Sequence, residues 1–316
     1  MSIAKYLLIR VLLASMTLFI SLAIIFFLIR LIPGDPAQIM LGNIDDPVAL
    51  ERMRAALALD QPVIMQFLNW LHRLVQGDLG VSITQDRSVL SIIIPSFGVT
   101  ASLVIPAVII AALIAIPAGS VAAWKQNTKI DVIVMTAATI ALSIPSFWLG
   151  LLFLLFFGLK LEFLPVVGYV SMFDNFWEGV TYLIMPVSAL ALTEAGVIVR
   201  LMRSSTIDVL RLEYITHAYA KGLTNWTVRT RHALPNAIAP TWTMIGLILG
   251  ALLGGAVVTE TVFTLPGLGR LLVESIFARD YPVIQGCMLI VTLSYVCVNV
   301  IVDTTYLLLS PGASYD

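Results

Sequence analysis

Glu213–Pro240 reads EYITHAYAKGLTNWTVRTRHALPNAIAP, a polar and basic island set between long apolar runs. Tyr214 to Lys221 holds no Gly or Pro and makes about two helical turns. A cation stands in its last turn, and Gly222 is placed to end the helix left-handed. Thr224 caps a second short helix running toward Pro235. The island carries His217, Lys221, Arg229 and Arg231 but no nucleophile, acid pair or metal set. It suits docking to a partner better than chemistry, although charge alone fits an ordinary positive-inside loop equally well.

The flanks of the island set the fold class. The 316 residues are 59% hydrophobic and 12% charged, about half the charge of an average soluble protein. Lipid is therefore the solvent for most of the chain. A net charge of -1 points neither to nucleic acid nor to an acidic substrate. A span needs about 20 apolar residues, and six stretches qualify: 8–31, 97–123, 131–159, 180–202, 239–262 and 283–308. The first begins like a signal peptide, but its uncharged run from Val11 to Ile29 is too long for one and no small-residue cleavage site follows, so it is expected to remain as a span. Lys and Arg concentrate on the side of the two termini and the island, and the positive-inside rule makes that side cytoplasmic. Cys287 and Cys297 share one apolar run, and as helix residues about 15 Å apart they cannot be bridged.

The long external segment from Pro33 to Arg87 reads as a small helical cap. Pro47 opens one helix. Pro62 opens another, whose Ile64, Phe67, Leu68, Leu71, Leu74 and Val75 share a face before Gly77 ends it. That face rests on the bilayer interface, on the membrane bundle or on a partner, with Trp70 and His72 as interface and surface residues. Within the spans, Gly246, Gly250 and Gly254 form two overlapping GxxxG patterns for close helix packing. Pro106, Pro117, Pro145 and Pro186 interrupt other spans, and Ser143 and Pro145 are the pair placed nearest a water-filled path, with a simple packing kink as the equal alternative. Three carboxylates lie at or near membrane depth. Asp303 is expected to pair structurally, Glu260 to sit close to external water, and Glu194 either to face a path or to bond a neighbouring helix through Thr136 or Thr139.

Several motifs carry a resemblance. Gly222 followed at fixed distance by Leu234-Pro235, with Ala218 four residues before the Gly, resembles the "EAA" loop of permease subunits in binding-protein-dependent ABC importers. Pro33-Gly34-Asp35-Pro36, Leu59-Asp60-Gln61-Pro62, Gly77-Asp78-Leu79-Gly80-Val81-Ser82, Pro266-Gly267-Leu268-Gly269-Arg270 and Arg279-Asp280-Tyr281-Pro282 narrow it to the B-type permease of the peptide/nickel branch. The resemblance implies an all-α, six-span type I permease fold. It implies ATPase coupling through Glu213, Tyr214, His217, Ala218, Lys221, Gly222, Leu234 and Pro235. It also implies a second homologous permease, two ATP-binding subunits carrying ATP and Mg, an external substrate-binding protein, and residence in a bacterial cytoplasmic membrane.

The chain has no GxxxxGK[ST], and no HExxH, GxSxG, CxxC or spaced His/Cys cluster. It is expected to bind no cofactor and to catalyse nothing itself. The expected organisation is a first span to residue 32, an external segment 33–94, a permease core 95–309 containing a coupling loop 203–240, and a tail 310–316. Peptide is the leading cargo, followed by a nickel chelate; a membrane hydrolase or a self-sufficient channel is the disfavoured alternative.

Overall fold

The computed structural model describes residues 3–31, 47–56 and 60–309. Pro33-Gly34-Asp35-Pro36, Leu59 and the 310–316 tail lie outside them. The described residues form α1 (Ile3–Leu31), α2 (Pro47–Ala56), α3 (Val63–Val75), α4 (Val89–Trp124), α5 (Lys129–Ser143), α6 (Ser146–Lys160), α7 (Phe176–Leu210), α8 (Glu213–Ala220), α9 (Asn225–Gly255), α10 (Val257–Val262), α11 (Leu268–Ala278) and α12 (Tyr281–Leu309). Helices α1, α4, α7, α9 and α12 are each long and apolar enough to cross a membrane, and α5 with α6 forms a sixth, bent span.

Pro106, Pro117 and Pro186 lie inside continuous helices, whereas the third span is interrupted at Pro145 as the sequence indicated. It bends by 91° between Ser143 and Ser146. Pro145 offers no N–H, and Ile144 before it takes the extended backbone that a following proline favours (φ -93, ψ 120), so α5 stops instead of kinking. The fifth span departs from the expectation. No second short helix stops at Pro235; the helix that begins at Asn225 runs through Pro235 and Pro240 to Gly255. A stretch of wide π turns at Val228–Ala233 precedes Pro235 and rearranges the hydrogen-bond ladder where the proline lacks a donor.

The core lies between α4 and α7, where Leu103, Ala107, Ala111 and Ala115 bury against a cluster containing Leu190, Ala195, Ile198 and Val199. Gly119 brings the two helices closest: a Cβ there would stand 2.7 Å from the Val199 carbonyl and 2.8 Å from Met202 Cβ. The predicted GxxxG face packs on α12. Gly246 faces Val302, while Cβ atoms added at Gly250 and Gly254 would lie 2.7 Å from Tyr295 and 2.8 Å from Val291. Asp303 pairs with Arg10 of α1 at 2.9 Å, as its position suggested. Cys287 and Cys297 are free thiols.

The segment that carries α3 packs on the membrane bundle through part of the face the sequence indicated, Phe67, Leu71 and Leu74, with Trp70 added to it. Phe67 and Trp70 are buried with Leu22 and Phe26 of α1. Arg30 Nε and Nη2 both donate to Gln66 Oε1, at 3.1 and 3.0 Å. Ile64, Leu68 and Val75 are exposed, and Trp70 is an anchor instead of a surface residue. The segment then reaches across to the opposite end of the chain. Buried Asp280 accepts from Ser82 Oγ at 2.5 Å, Thr84 Oγ1 at 2.9 Å, and the backbone N–H groups of Ile83 and Thr84 at 3.1 and 3.2 Å.

Glu260 is the clearest correction. It is fully buried, not close to external water. Its carboxylate accepts from Thr100 Oγ1 of α4 at 2.6 Å and from the Arg270 N–H at 2.8 Å. Thr100 Oγ1 also accepts from Leu268 N–H at 2.8 Å. Glu260 thus sits at the N-terminus of α11, where unpaired N–H groups and the helix dipole favour an anion. Gly267 packs directly on it.

Candidate functional site

Two regions hold the residues singled out in the sequence. The first is the island after α7. Gly222 follows α8 with φ +81, and a Cβ there would meet nothing within 4 Å, so glycine is required by backbone conformation and not by space. Thr224 Oγ1 accepts from the Thr227 N–H at 3.3 Å and caps α9. The inner face of α8 anchors the island: Ile215 and Ala218 bury with Val228 and Ala233. Ala218 is turned toward its own chain. Tyr214 Oη donates to the His232 carbonyl at 3.2 Å, and Asn236 Nδ2 donates to Tyr214 Oη at 2.8 Å, tying α8 to the start of the fifth span.

The outer face carries Glu213, Thr216, His217, Tyr219, Lys221, Leu223 and Trp226, all exposed; Pro235 is exposed and Leu234 half-buried. Sequence reasoning missed the apolar members of this face. Trp226 is 69% exposed, far more than a tryptophan in a polar loop needs to be. Its indole inside the otherwise polar run Thr224-Asn225-Trp226-Thr227 was the available signal. Arg229, expected on the docking surface, instead folds back on Trp124 at the end of α4, its Cζ 5.9 Å from the ring centroid.

The second region is the free side of α7. At 100° per residue, Thr193, Glu194, Val197, Leu201, Ser204 and Asp208 share one arc, and each is exposed or half-buried. Ala195, Ile198, Val199, Met202 and Thr206 fill the opposite arc and are buried. Half-buried Glu194 therefore stands at mid-span on the free side of the most central helix, and no hydrogen bond or ion pair joins it among the described residues. The structure does not bond it to Thr139, whose hydroxyl donates to the Met135 carbonyl at 2.8 Å. Ser143 and Pro145 are exposed at the bend of the third span, and Ser143 Oγ donates to the Thr139 carbonyl at 2.8 Å. No hydrogen bond joins either of them to Glu194.

Beside this arc, Arg203 makes a two-pronged ion pair with buried Asp131 (Nε 2.6 Å, Nη2 2.7 Å), and the Asn127 N–H donates to the same carboxylate at 3.0 Å. The pair braces α5 against α7 at the foot of a cleft of about 490 Å³ lined by Val132, Met135, Thr136, Thr139 and Ile140. Sequence reading assigned Arg203 only to the cytoplasmic charge bias, because its partner lies 72 residues away. Among the described residues no group of three or more His, Cys, Asp or Glu could hold a metal ion.

Comparison with known proteins gives the arrangement its context. Residues 115–315 match the family described as binding-protein-dependent transport system inner membrane component, and residues 3–104 match its N-terminal companion. A protein named as a putative peptide transport system permease, from Brucella suis, is 39% identical, covering 92% of this chain and 93% of the relative. A dipeptide transport system permease of Alkalihalophilus pseudofirmus is 38% identical over 97% of this chain and 98% of its own. A glutathione transport system permease of Escherichia coli is 39% identical, covering 95% of each chain. Among solved structures, an amino acid ABC transporter crystallised with histidines aligns at a TM-score of 0.42 and 17% identity, over 77% of this chain and 94% of that one.

Proposed function

The chain belongs to the family of binding-protein-dependent transport system inner membrane components, and from that membership we propose that it is one permease subunit of an ATP-driven importer of short peptides. The names of its relatives support peptide as the cargo class. A second permease completes the path, two ATP-binding subunits carry ATP and Mg, and an external binding protein delivers cargo. The chain itself hydrolyses nothing. Its termini and the 213–235 island face the cytoplasm, in line with the positive-inside bias.

The observation that carries this reading is the island. It is anchored inward by Ile215 and Ala218 and joined without a break to a membrane span. It turns Tyr219, Lys221, Leu223 and Trp226 outward, the mixture of aromatic, apolar and basic side chains that protein interfaces favour. The free arc of α7 supplies a wall for the path, with Glu194 on it, and the bend at Ser143 to Pro145 borders it.

Reconstitution tests the reading. The complete complex in proteoliposomes should accumulate a labelled dipeptide only with ATP and the binding protein, and this chain alone should hydrolyse no ATP. Accumulation without ATP, or hydrolysis by the isolated chain, overturns it.

A further inference from the structure

Helix α4 ties the two ends of the molecule together. It runs unbroken from Val89 to Trp124. At its outer half, Thr100 holds the Glu260 carboxylate at 2.6 Å and the Leu268 N–H at 2.8 Å, which joins α4 to α10 and α11. At its inner end Trp124 meets the island. Arg229 Nη2 donates to the Trp124 carbonyl at 3.4 Å, one of the last carbonyls of α4, which have no partner within the helix. The Arg229 Cζ stands 5.9 Å from the Trp124 ring centroid, and exposed Trp226 meets that ring edge-on at 6.0 Å. About 36 Å of helix separates Thr100 from Trp124, slightly more than the hydrocarbon thickness of a bilayer.

The two attachments differ in kind. The outer one is a short, buried, charge-assisted set of bonds. The inner one is stacking plus one long hydrogen bond, and Trp124 Nε1 and Arg229 Nε are both buried with no acceptor among the described residues. A contact of that kind passes on displacement without locking the parts in one register. Arg229 also lies in the π-turn stretch Val228–Ala233, where the helical ladder is already widened. Between the attachments, Pro106 and Pro117 stand eleven residues apart, about three helical turns, so they share one face. Each removes a ladder bond on that face, which gives α4 a single preferred plane of bending.

We infer that Arg229 and Trp124 form the joint through which movement of the docking island reaches the outer end of α4, and that both are positioning residues for transport. The inference rests on the proposed importer reading. When partner subunits draw the island aside, Trp226 and Arg229 carry the end of α4 with them. The bend along the proline face then shifts Thr100, and with it the Glu260 and Leu268 attachment on the external side.

The test uses the whole complex in proteoliposomes, with uptake of a labelled dipeptide and ATP hydrolysis measured together. Arg229→Gln and Trp124→Ala should each lower uptake per ATP at least fivefold while the ATP-binding subunits remain bound and basal hydrolysis stays within twofold. Trp124→Phe, which keeps a ring, should retain at least half of the wild-type ratio. The double variant should be no worse than the worse single one, because both remove the same joint. A spin-label pair at Leu90→Cys and Phe277→Cys, in a background with Cys287 and Cys297 replaced by Ser, should change distance on ATP-subunit closure in the wild type and not in Arg229→Gln. An unchanged uptake-to-ATP ratio, additive losses in the double variant, or loss of the ATP-binding subunits overturns the inference. Failure of the wild-type complex to transport would instead overturn the importer reading.

Discussion

Ser82 Oγ donates to the Asp280 carboxylate at 2.5 Å, across 198 residues of sequence. The contact joins Gly77-Asp78-Leu79-Gly80-Val81-Ser82 to Arg279-Asp280-Tyr281-Pro282, two motifs that are unrelated when read along the chain. Gly80 turns the first motif beside Pro282 with φ +87, a backbone that favours glycine.

Asp280→Asn is expected to destabilise the chain by about 1–3 kcal/mol, because an amide turns one of the two accepting oxygens into a donor that opposes hydroxyl and N–H donors in a buried site. Thermal unfolding of the detergent-extracted protein should begin at lower temperature, and protease should cut first within residues 82–88. An unaltered melting profile with unchanged protection of that loop would mean the clamp contributes nothing.

Substitutions at the α9–α12 seam should separate by position. Gly250→Val drives a branched side chain against Tyr295, which a Cβ already approaches to 2.7 Å, at an expected cost of about 1–3 kcal/mol. Gly255→Ala meets nothing within 4 Å and should be tolerated. Equal melting temperatures for the two variants would contradict the seam.

The membrane helices were legible because twenty apolar residues have few alternatives, and the GxxxG seam was legible because small residues at four-residue spacing have one geometric use. Other features hid for physical reasons. Pro235 reads locally as a stop, yet wide π turns carry the helix through it. Glu260 reads as wetted because its partner Thr100 lies 160 residues away, so only the fold reveals the burial. On α3, Phe67, Leu71 and Leu74 were legible as a packing face, whereas the burial of Trp70 depends on α1, where Phe26 lies 5.5 Å from it between ring centroids. In the island, Gly222 declared its left-handed backbone, whereas the inward turn of Ala218 depends on packing against Val228.

Because Ala218 is buried at 7% exposure and Trp226 stands out at 69%, the two should fail differently. Ala218→Arg is expected to unseat α8 itself, seen as faster proteolysis within the island even in the isolated chain. Trp226→Ala should leave that proteolysis unchanged and reduce the amount of ATP-binding subunit retained on affinity purification by severalfold, as removal of an exposed aromatic anchor does. Normal retention with Trp226→Ala would remove it from the docking surface.

Glu194 differs from Asp131, Asp303 and Glu260. Asp131 has Arg203, Asp303 has Arg10, and Glu260 has Thr100 and a helix N-terminus. Glu194 is half-buried with no such partner among the described residues. A charged side chain at mid-span costs about 2.5–3.5 kcal/mol on insertion scales, so retaining one without a partner calls for water, cargo or a second subunit to meet it. If its use is attraction of a cargo ammonium group, Glu194→Gln keeps the shape and removes the charge. The complex should assemble normally, and since no internal bond is lost the melting temperature should not fall. Uptake of a dipeptide with a free amino terminus should drop about tenfold, the equivalent of ~1.4 kcal/mol in affinity. The drop should shrink as ionic strength rises only if the site is open to solvent, because salt screens exposed charges far more than buried ones. Loss of the second permease on purification would place Glu194 at the subunit interface, and unchanged uptake would remove it from the path.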